Sequence, residues 1–98
     1  MDLGLNGKTA VVTGGSSGIG LATVRLLLEE GCNLAFCARG AERLEAAKAD
    51  LVASFGEERI LAEAVSVLDP EAFGGFAARV LERFGGVDIL INNAGQGR

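Results

Sequence analysis

Short apolar runs recur along the chain, separated by longer segments in which apolar residues return every three or four positions. The short runs are apolar on both faces, as in parallel strands that are covered on both sides, and the longer segments have the period of helices packed on a sheet. The pattern predicts β-strands over 9–13, 33–38, 60–67 and 87–92. It predicts helices over 17–30 (beginning at residue 17 or 18), 41–55 and 70–84.

Each predicted helix has one apolar face and its own end signals. Gly31 and Gly56 suit helix C-termini, while Asp69 and Pro70 suit the N-cap and first turn of the third helix. The predicted inner faces, in chain order, are Ile19, Ala22, Leu26 and Leu27; Leu44, Ala47, Leu51 and Phe55; and Phe73, Phe76, Val80 and Phe84.

The spacing of these elements predicts the fold class. Strands begin near residues 9, 33, 60 and 87, about one β-α unit apart. Alternation of strands and helices predicts an α/β fold, a parallel sheet whose right-handed crossovers place helices on both faces. With 98 residues the chain forms one domain at most, and no linker or low-complexity segment divides residues 1–98.

Composition argues against several classes of function. The net charge is −4 and no basic run occurs, so nucleic acid and anionic membranes are poor partners. No apolar run approaches the roughly 20 residues that span a bilayer, and no signal-peptide pattern follows Met1. Without His, and with Cys32 and Cys37 as the only cysteines, we expect no metal site and two reduced thiols in a cytoplasmic protein, with Cys37 in the core.

A glycine-rich segment, 13–20, joins the first strand to the first helix. Such a turn is typical of a phosphate-binding loop, because free N–H groups and the helix dipole stabilise an anion at a helix N-terminus. The spacing of Gly14, Gly18 and Gly20 differs from the G-x-G-x-x-G fingerprint of dinucleotide sites. The alternative is a turn without a ligand, in which Ser16 and Ser17 only cap the helix.

A second motif, Asn92-Asn93-Ala94-Gly95, ends the fourth predicted strand. With Thr13-Gly14-x-x-x-Gly18-Ile19-Gly20 before it, the chain resembles the classical short-chain dehydrogenase/reductase (SDR) family over essentially its whole length, and within that family the 3-oxoacyl-[acyl-carrier-protein] reductase group. The resemblance implies a Rossmann-type doubly wound sheet with strand order 3-2-1-4. It also implies a nicotinamide cofactor, with its pyrophosphate at Gly14, Ser16, Ser17, Gly18, Ile19 and Gly20 and its inner ribose region at Asn93, Ala94 and Gly95.

Arg39 follows the second strand, where a dinucleotide fold meets the adenosine ribose. An acid there accepts hydrogen bonds from the 2′-hydroxyl of NAD, whereas an Arg nearby accommodates the 2′-phosphate of NADP. The strand ends in Ala38, which is not acidic, so we expect NADP(H) to be preferred. Many NADP-preferring relatives have a basic residue in place of Ser17, and its absence leaves more of the phosphate to Arg39. Alternatively, Arg39 is a solvated loop residue.

The end of the third strand departs from the family pattern. Relatives often have an Asp there that binds the adenine amine, and in this chain Ser66 followed by Val67 occupies that position. The resemblance assigns Ser66 and Val67 to the adenine edge, with a weaker contact than Asp would give. We expect Asp69 to act mostly as a helix cap.

The family's catalytic residues are not among these 98. Its acid/base is a Tyr in a Tyr-x-x-x-Lys element, and this chain has no Tyr. We therefore expect no catalytic residue here. The chain is expected to be the cofactor-binding first half of an enzyme, truncated after the fourth strand and inactive alone. That strand is then an open edge, so the segment is expected to be poorly stable, to self-associate, or to be held by the rest of the protein.

Two functions remain open from the sequence. The first is an NADP(H)-dependent oxidoreductase that interconverts a carbonyl and a secondary alcohol, with a small-molecule substrate and a homo-oligomeric parent protein. The second is a nucleotide-binding or interaction module without catalysis, if the chain naturally stops at Arg98.

Overall fold

The computed structural model describes residues 4–16 and 18–93. In these residues strands and helices alternate, as the hydrophobic pattern predicts. The elements are β1 (Thr9–Thr13), α1 (Gly18–Glu29), β2 (Asn33–Ala38), α2 (Ala41–Phe55), a 3₁₀ turn (Glu57–Arg59), β3 (Ile60–Ala64), α3 (Pro70–Phe84) and β4 (Ile89–Asn92). No helix in this described part is long and apolar enough to cross a membrane.

The strands form one parallel sheet in the order β3-β2-β1-β4, which confirms the predicted doubly wound topology. Thr13 pairs with Cys37 on one side and with Asn92 on the other. The chain first builds outward from β1 to β3 and then returns to place β4 on the opposite side of β1. The switch point therefore lies between β1 and β4, where ligands of open α/β sheets bind.

The core has two layers because the side chains of each strand alternate between the faces of the sheet. Val12 and Phe36 lie on the face covered by α1 and α2, and Val11 and Cys37 lie on the face covered by α3. All four residues are buried. Both cysteines are free thiols and buried, as expected for Cys37 in the core.

The predicted inner face of α1 is wrong at three of its four positions. Ile19 is 79% exposed, Leu26 is 54% exposed and Ala22 is also exposed. Leu27 is buried as predicted, and it is joined by Gly20, Val24 and Leu28. Gly20 determines this face, because its close approach to the preceding loop turns position 20, and with it positions 24, 27 and 28, toward the sheet.

Two predicted strand ends are also wrong. β3 stops at Ala64 rather than residue 67, since the backbone N–H groups of Leu68 and Asp69 both donate to Ser66 and form a turn. β4 begins at Ile89 rather than residue 87, because the carboxylate of Asp88 accepts the N–H of Thr9, at 2.9 Å, in place of a ladder carbonyl.

The helix ends agree better than these strand ends with the capping signals in the sequence. The Asp69 carboxylate accepts the N–H of Ala72, at 3.2 Å, and Pro70 opens α3, as predicted. The C-terminus of α1 has a partner that the sequence did not indicate: the guanidinium of Arg59 donates to the carbonyls of Leu28 and Cys32, both at 2.7 Å. Leu28 lies in the last turn of α1, where carbonyls lack intrahelical partners, and Cys32 lies just beyond the helix end.

Candidate functional site

Four segments meet at the carboxyl edge of the sheet, because all four strands run in the same direction. They are the glycine loop after β1, Arg39 after β2, the turn containing Ser66 and Val67 after β3, and Asn93 after β4. The topology therefore brings together segments that are up to 80 residues apart in the sequence.

The glycine loop is tied to the end of β2. The N–H of Gly14 donates to the carbonyl of Cys37 at 2.7 Å, and the N–H of Gly15 donates to the same oxygen at 3.4 Å. Gly14 and Gly18 have φ angles of 75° and 59°, in the left-handed region that residues with a Cβ rarely adopt. The loop conformation thus requires glycine at both positions.

Gly20 is required for a different reason. A Cβ atom built on it would overlap the carbonyl oxygen of Gly14 and lie 3.1 Å from Cα of Gly15. The first turn of α1 therefore lies directly against the loop backbone. Such close packing of the helix N-terminus is one of the roles that glycines have in dinucleotide-binding folds.

Thr13 joins the ends of β1 and β4 at the switch point. Its hydroxyl donates to Oδ1 of Asn92 at 2.7 Å and accepts the N–H of Asn93 at 3.1 Å. The same N–H also donates to the Thr13 carbonyl at 3.0 Å. The sequence motifs do not assign a site role to Thr13. The sequence signal that could identify Thr13 is a residue with a hydroxyl group at the end of one buried strand, together with two Asn residues at the end of another.

Asn93 carries an unsatisfied donor. Its Nδ2 is buried and has no hydrogen-bond partner among the described residues. A buried amide without a partner is costly, and such groups commonly face a ligand or an ordered water. Together with the glycine loop, this donor fits a polar ligand at the switch point, and a dinucleotide supplies the acceptor oxygens that it requires.

Arg39 lies on the surface directly after β2. The strand end is fixed, because the carbonyl of Ala38 accepts the N–H of Val65 at 3.0 Å. Within residues 4–16 and 18–93, the ion pairs join Arg25 to Asp50 and Arg79 to Glu63, so the Arg39 guanidinium is not engaged by a carboxylate there. It is available to an anion.

Ser66 and Val67 follow β3 and are both half-buried. The Ser66 hydroxyl accepts the N–H of Leu68 at 3.1 Å, and Val67 packs against the core layer under α3. Of the other predicted site residues, Ser16 is half-buried at the loop, and Ile19 is exposed at the start of α1. Ser17, Ala94 and Gly95 lie outside the described residues.

The buried thiols do not supply an acid or base at neutral pH. Burial raises the pKa of Cys37 to about 11 and also raises the pKa of Cys32. Both therefore remain protonated and behave as small core residues. The described part of the site can hold and orient a ligand, but it presents no group poised for proton transfer.

Comparison with known proteins agrees with this geometry. Residues 8–98 match the model of the short chain dehydrogenase family. The chain is 41% identical over 88 residues to D-beta-hydroxybutyrate dehydrogenase of Rhizobium meliloti (strain 1021). The aligned region covers 90% of this chain and 34% of that protein.

Two solved structures are similar over the whole of this chain. One is an apo short chain oxidoreductase with an atypical catalytic center from Pseudomonas aeruginosa PAO1, with 52% identity and a TM-score of 0.90. The other is L-sorbose reductase from Gluconobacter frateurii in complex with NADPH and L-sorbose, with 46% identity and a TM-score of 0.90. This chain covers 37% of each, so it spans about a third of the length of its relatives. The finer resemblance to 3-oxoacyl-[acyl-carrier-protein] reductases stays a prediction. The family match and the doubly wound sheet together show that this chain belongs to the short-chain dehydrogenase family.

Proposed function

We propose that this chain is the cofactor-binding part of an NADP(H)-dependent oxidoreductase that interconverts a carbonyl and a secondary alcohol. The observation that carries this function is the backbone contact between Gly14 and Gly20 at the switch point, which leaves no space for a side chain. Family membership supplies the reaction class. The whole protein is expected to act on a small molecule in the cytoplasm as a homo-oligomer.

The residues of the site can be assigned to separate parts of the cofactor. Gly14, Ser16, Ser17, Gly18, Ile19 and Gly20 would hold the pyrophosphate, which the N–H groups of the first turn of α1 would face. Asn93, with Ala94 and Gly95, would face the inner ribose, where the buried Nδ2 of Asn93 gains an acceptor. When bound, NADP(H) supplies or accepts the hydride. The residues at the carboxyl edge of the sheet would bind and orient the cofactor, and Thr13 at the end of β1 is buried.

Preference for NADP(H) follows from the charges near the end of β2. Arg39 has no carboxylate partner in the described ranges, and Ala38 places no acid beside it. Glu63, which pairs with Cys37 across β2 and β3, is held by the guanidinium of Arg79 at 2.5 and 2.7 Å. An additional phosphate on the ribose would therefore meet the Arg39 cation, while Glu63 is already engaged by Arg79. The similar L-sorbose reductase was solved with NADPH.

The groups that transfer protons are expected in the rest of the protein, outside these 98 residues. The two cysteines do not replace them, because both thiols are buried and protonated at neutral pH. The 98 residues alone are therefore expected to bind cofactor without turnover.

Titration calorimetry on the full-length protein tests the cofactor assignment. We expect NADPH to bind at least about tenfold more tightly than NADH, and the substitution Arg39→Asp to remove that difference by replacing attraction with repulsion. Arg83→Asp makes the same charge change at the C-terminal end of α3, near the amino ends of the strands rather than their carboxyl ends. It should leave the ratio of the NADPH and NADH affinities unchanged. Equal affinities in the unmodified protein would refute the NADP preference, and no uptake of either nucleotide would refute the function.

A further inference from the structure

The strand order determines which loop lies beyond Arg39. Reading outward from the switch point, the sheet presents the ends of β1, β2 and β3 in turn. If, as proposed above, an adenine dinucleotide places its pyrophosphate at the glycine loop and its 2′-phosphate at Arg39, the base lies next to the turn after β3. Ser66, Val67 and Leu68 form that turn.

The Ser66 hydroxyl is already partly used within this turn. Its oxygen accepts the N–H of Leu68 at 3.1 Å, while the Ser66 carbonyl accepts the N–H of Asp69, also at 3.1 Å. A hydroxyl has two lone pairs and one proton to donate. One acceptor position and the O–H therefore remain for a ligand.

Neither carboxylate near this turn occupies the Ser66 position. Glu63 binds the guanidinium of Arg79 through both oxygens, and Asp69 uses one oxygen to cap α3 through the N–H of Ala72. At residue 66 the base edge thus meets a hydroxyl that both donates and accepts.

We infer that this site discriminates poorly at position 6 of the purine, because Ser66 accommodates the 6-amino group of adenine as well as the 6-oxo group of hypoxanthine. The 6-amino group of adenine donates to the remaining lone pair of Ser66. The 6-oxo group of hypoxanthine accepts the Ser66 O–H instead. A carboxylate in this position would accept from the amine and repel the oxo group, which is how a polar site rejects the analogue that it cannot pair with.

Calorimetric titration of the full-length protein with NADPH and with reduced nicotinamide hypoxanthine dinucleotide phosphate tests this directly. We expect the two dissociation constants to differ by less than about fivefold in the unmodified protein. Ser66→Asp keeps an acceptor for the N–H of Leu68 and adds a free carboxylate oxygen, so it should raise the preference for adenine to about tenfold or more. Ser54→Asp, at an exposed position near the end of α2, is the matched control and should leave the ratio as it was.

The outcomes separate this inference from the proposed function. If the unmodified protein binds NADPH more than about fivefold more tightly than the hypoxanthine analogue, the proposed tolerance of position 6 is refuted and the cofactor assignment still stands. A ratio that Ser66→Asp does not change, in a variant whose thermal unfolding matches that of the unmodified protein, would remove Ser66 from the base edge. Failure to bind either nucleotide would instead reject the cofactor itself.

Discussion

The first turn of α1 lies so close to the glycine loop that a methyl group on Gly20 would overlap the carbonyl oxygen of Gly14. This contact sets two properties at once. It places the helix N-terminus beside the end of β1, and it fixes which face of α1 is buried, with Val24 and Leu28 following Gly20 at helical spacing.

Gly20→Ala is expected to lower the free energy of unfolding by about 2 to 4 kcal/mol, because backbone atoms must move apart to admit the new methyl group. NADPH affinity should fall with it, since the loop is displaced. Urea denaturation and calorimetry of the full-length protein measure the two effects.

Gly74→Ala is the matched control for that substitution. Gly74 lies in α3, and a Cβ atom there would have no neighbour within 4 Å. Alanine should raise the free energy of unfolding by about 0.5 to 1 kcal/mol, because it loses less conformational freedom on folding than glycine. A stable, NADPH-binding Gly20→Ala protein would show that the backbone contact is not needed.

Thr13→Val should lower the free energy of unfolding by about 1 to 3 kcal/mol, since it removes the hydroxyl that bonds to both Asn92 and Asn93 at nearly constant side-chain volume. NADPH affinity should also fall, because the strand ends at the switch point are no longer joined by this group. Thr23→Val provides the comparison: the Thr23 hydroxyl bonds only to the carbonyl of Ile19 within α1 in the described hydrogen bonds, and its loss should cost less than about 1 kcal/mol. Similar losses in the two variants would contradict a special role of Thr13.

Arg59→Met should cost about 1 to 3 kcal/mol of stability, because the carbonyls of Leu28 and Cys32 lose charged donors at the C-terminus of α1. Methionine retains most of the aliphatic stem, so the loss reports the guanidinium rather than packing. Arg43→Met, at an exposed position of α2, should change stability by less than about 0.5 kcal/mol. Equal midpoints of urea unfolding for both variants would exclude the capping role.

Stability should decrease between about pH 9 and pH 11. Burial raises the pKa of Cys37 from 9.0 to about 11, so the unfolded thiol ionises before the folded one does. The unfolded state is then stabilised as the pH rises through this window, at up to about 1.4 kcal/mol per pH unit for one thiol. Urea denaturation at several pH values should show a smaller decrease for Cys37→Ala. Parallel profiles for the two proteins would show that Cys37 does not contribute.

Most element bounds were predictable because they depend on local patterns. Apolar runs, helical periodicity and end signals place β1, β2, α2 and α3 at the residues where the structure has them. The strand order was predictable through the resemblance to the short-chain dehydrogenase/reductase family, which implies the order 3-2-1-4. The ends of β3 and β4 were not, because they depend on hydrogen bonds made by Ser66 and Asp88.

By itself, the sequence determined the α/β class, the parallel sheet and the glycine loop that follows its first strand. Only the tertiary structure decided the buried face of α1, the position of the Thr13 hydroxyl between the ends of two strands, and the buried amide of Asn93. The reason is physical: periodicity and turn propensity act between near neighbours, whereas these features require contacts between residues such as Thr13 and Asn92, which are 79 positions apart. A hydroxyl or an amide has no assigned partner until the folded chain brings one within hydrogen-bonding distance.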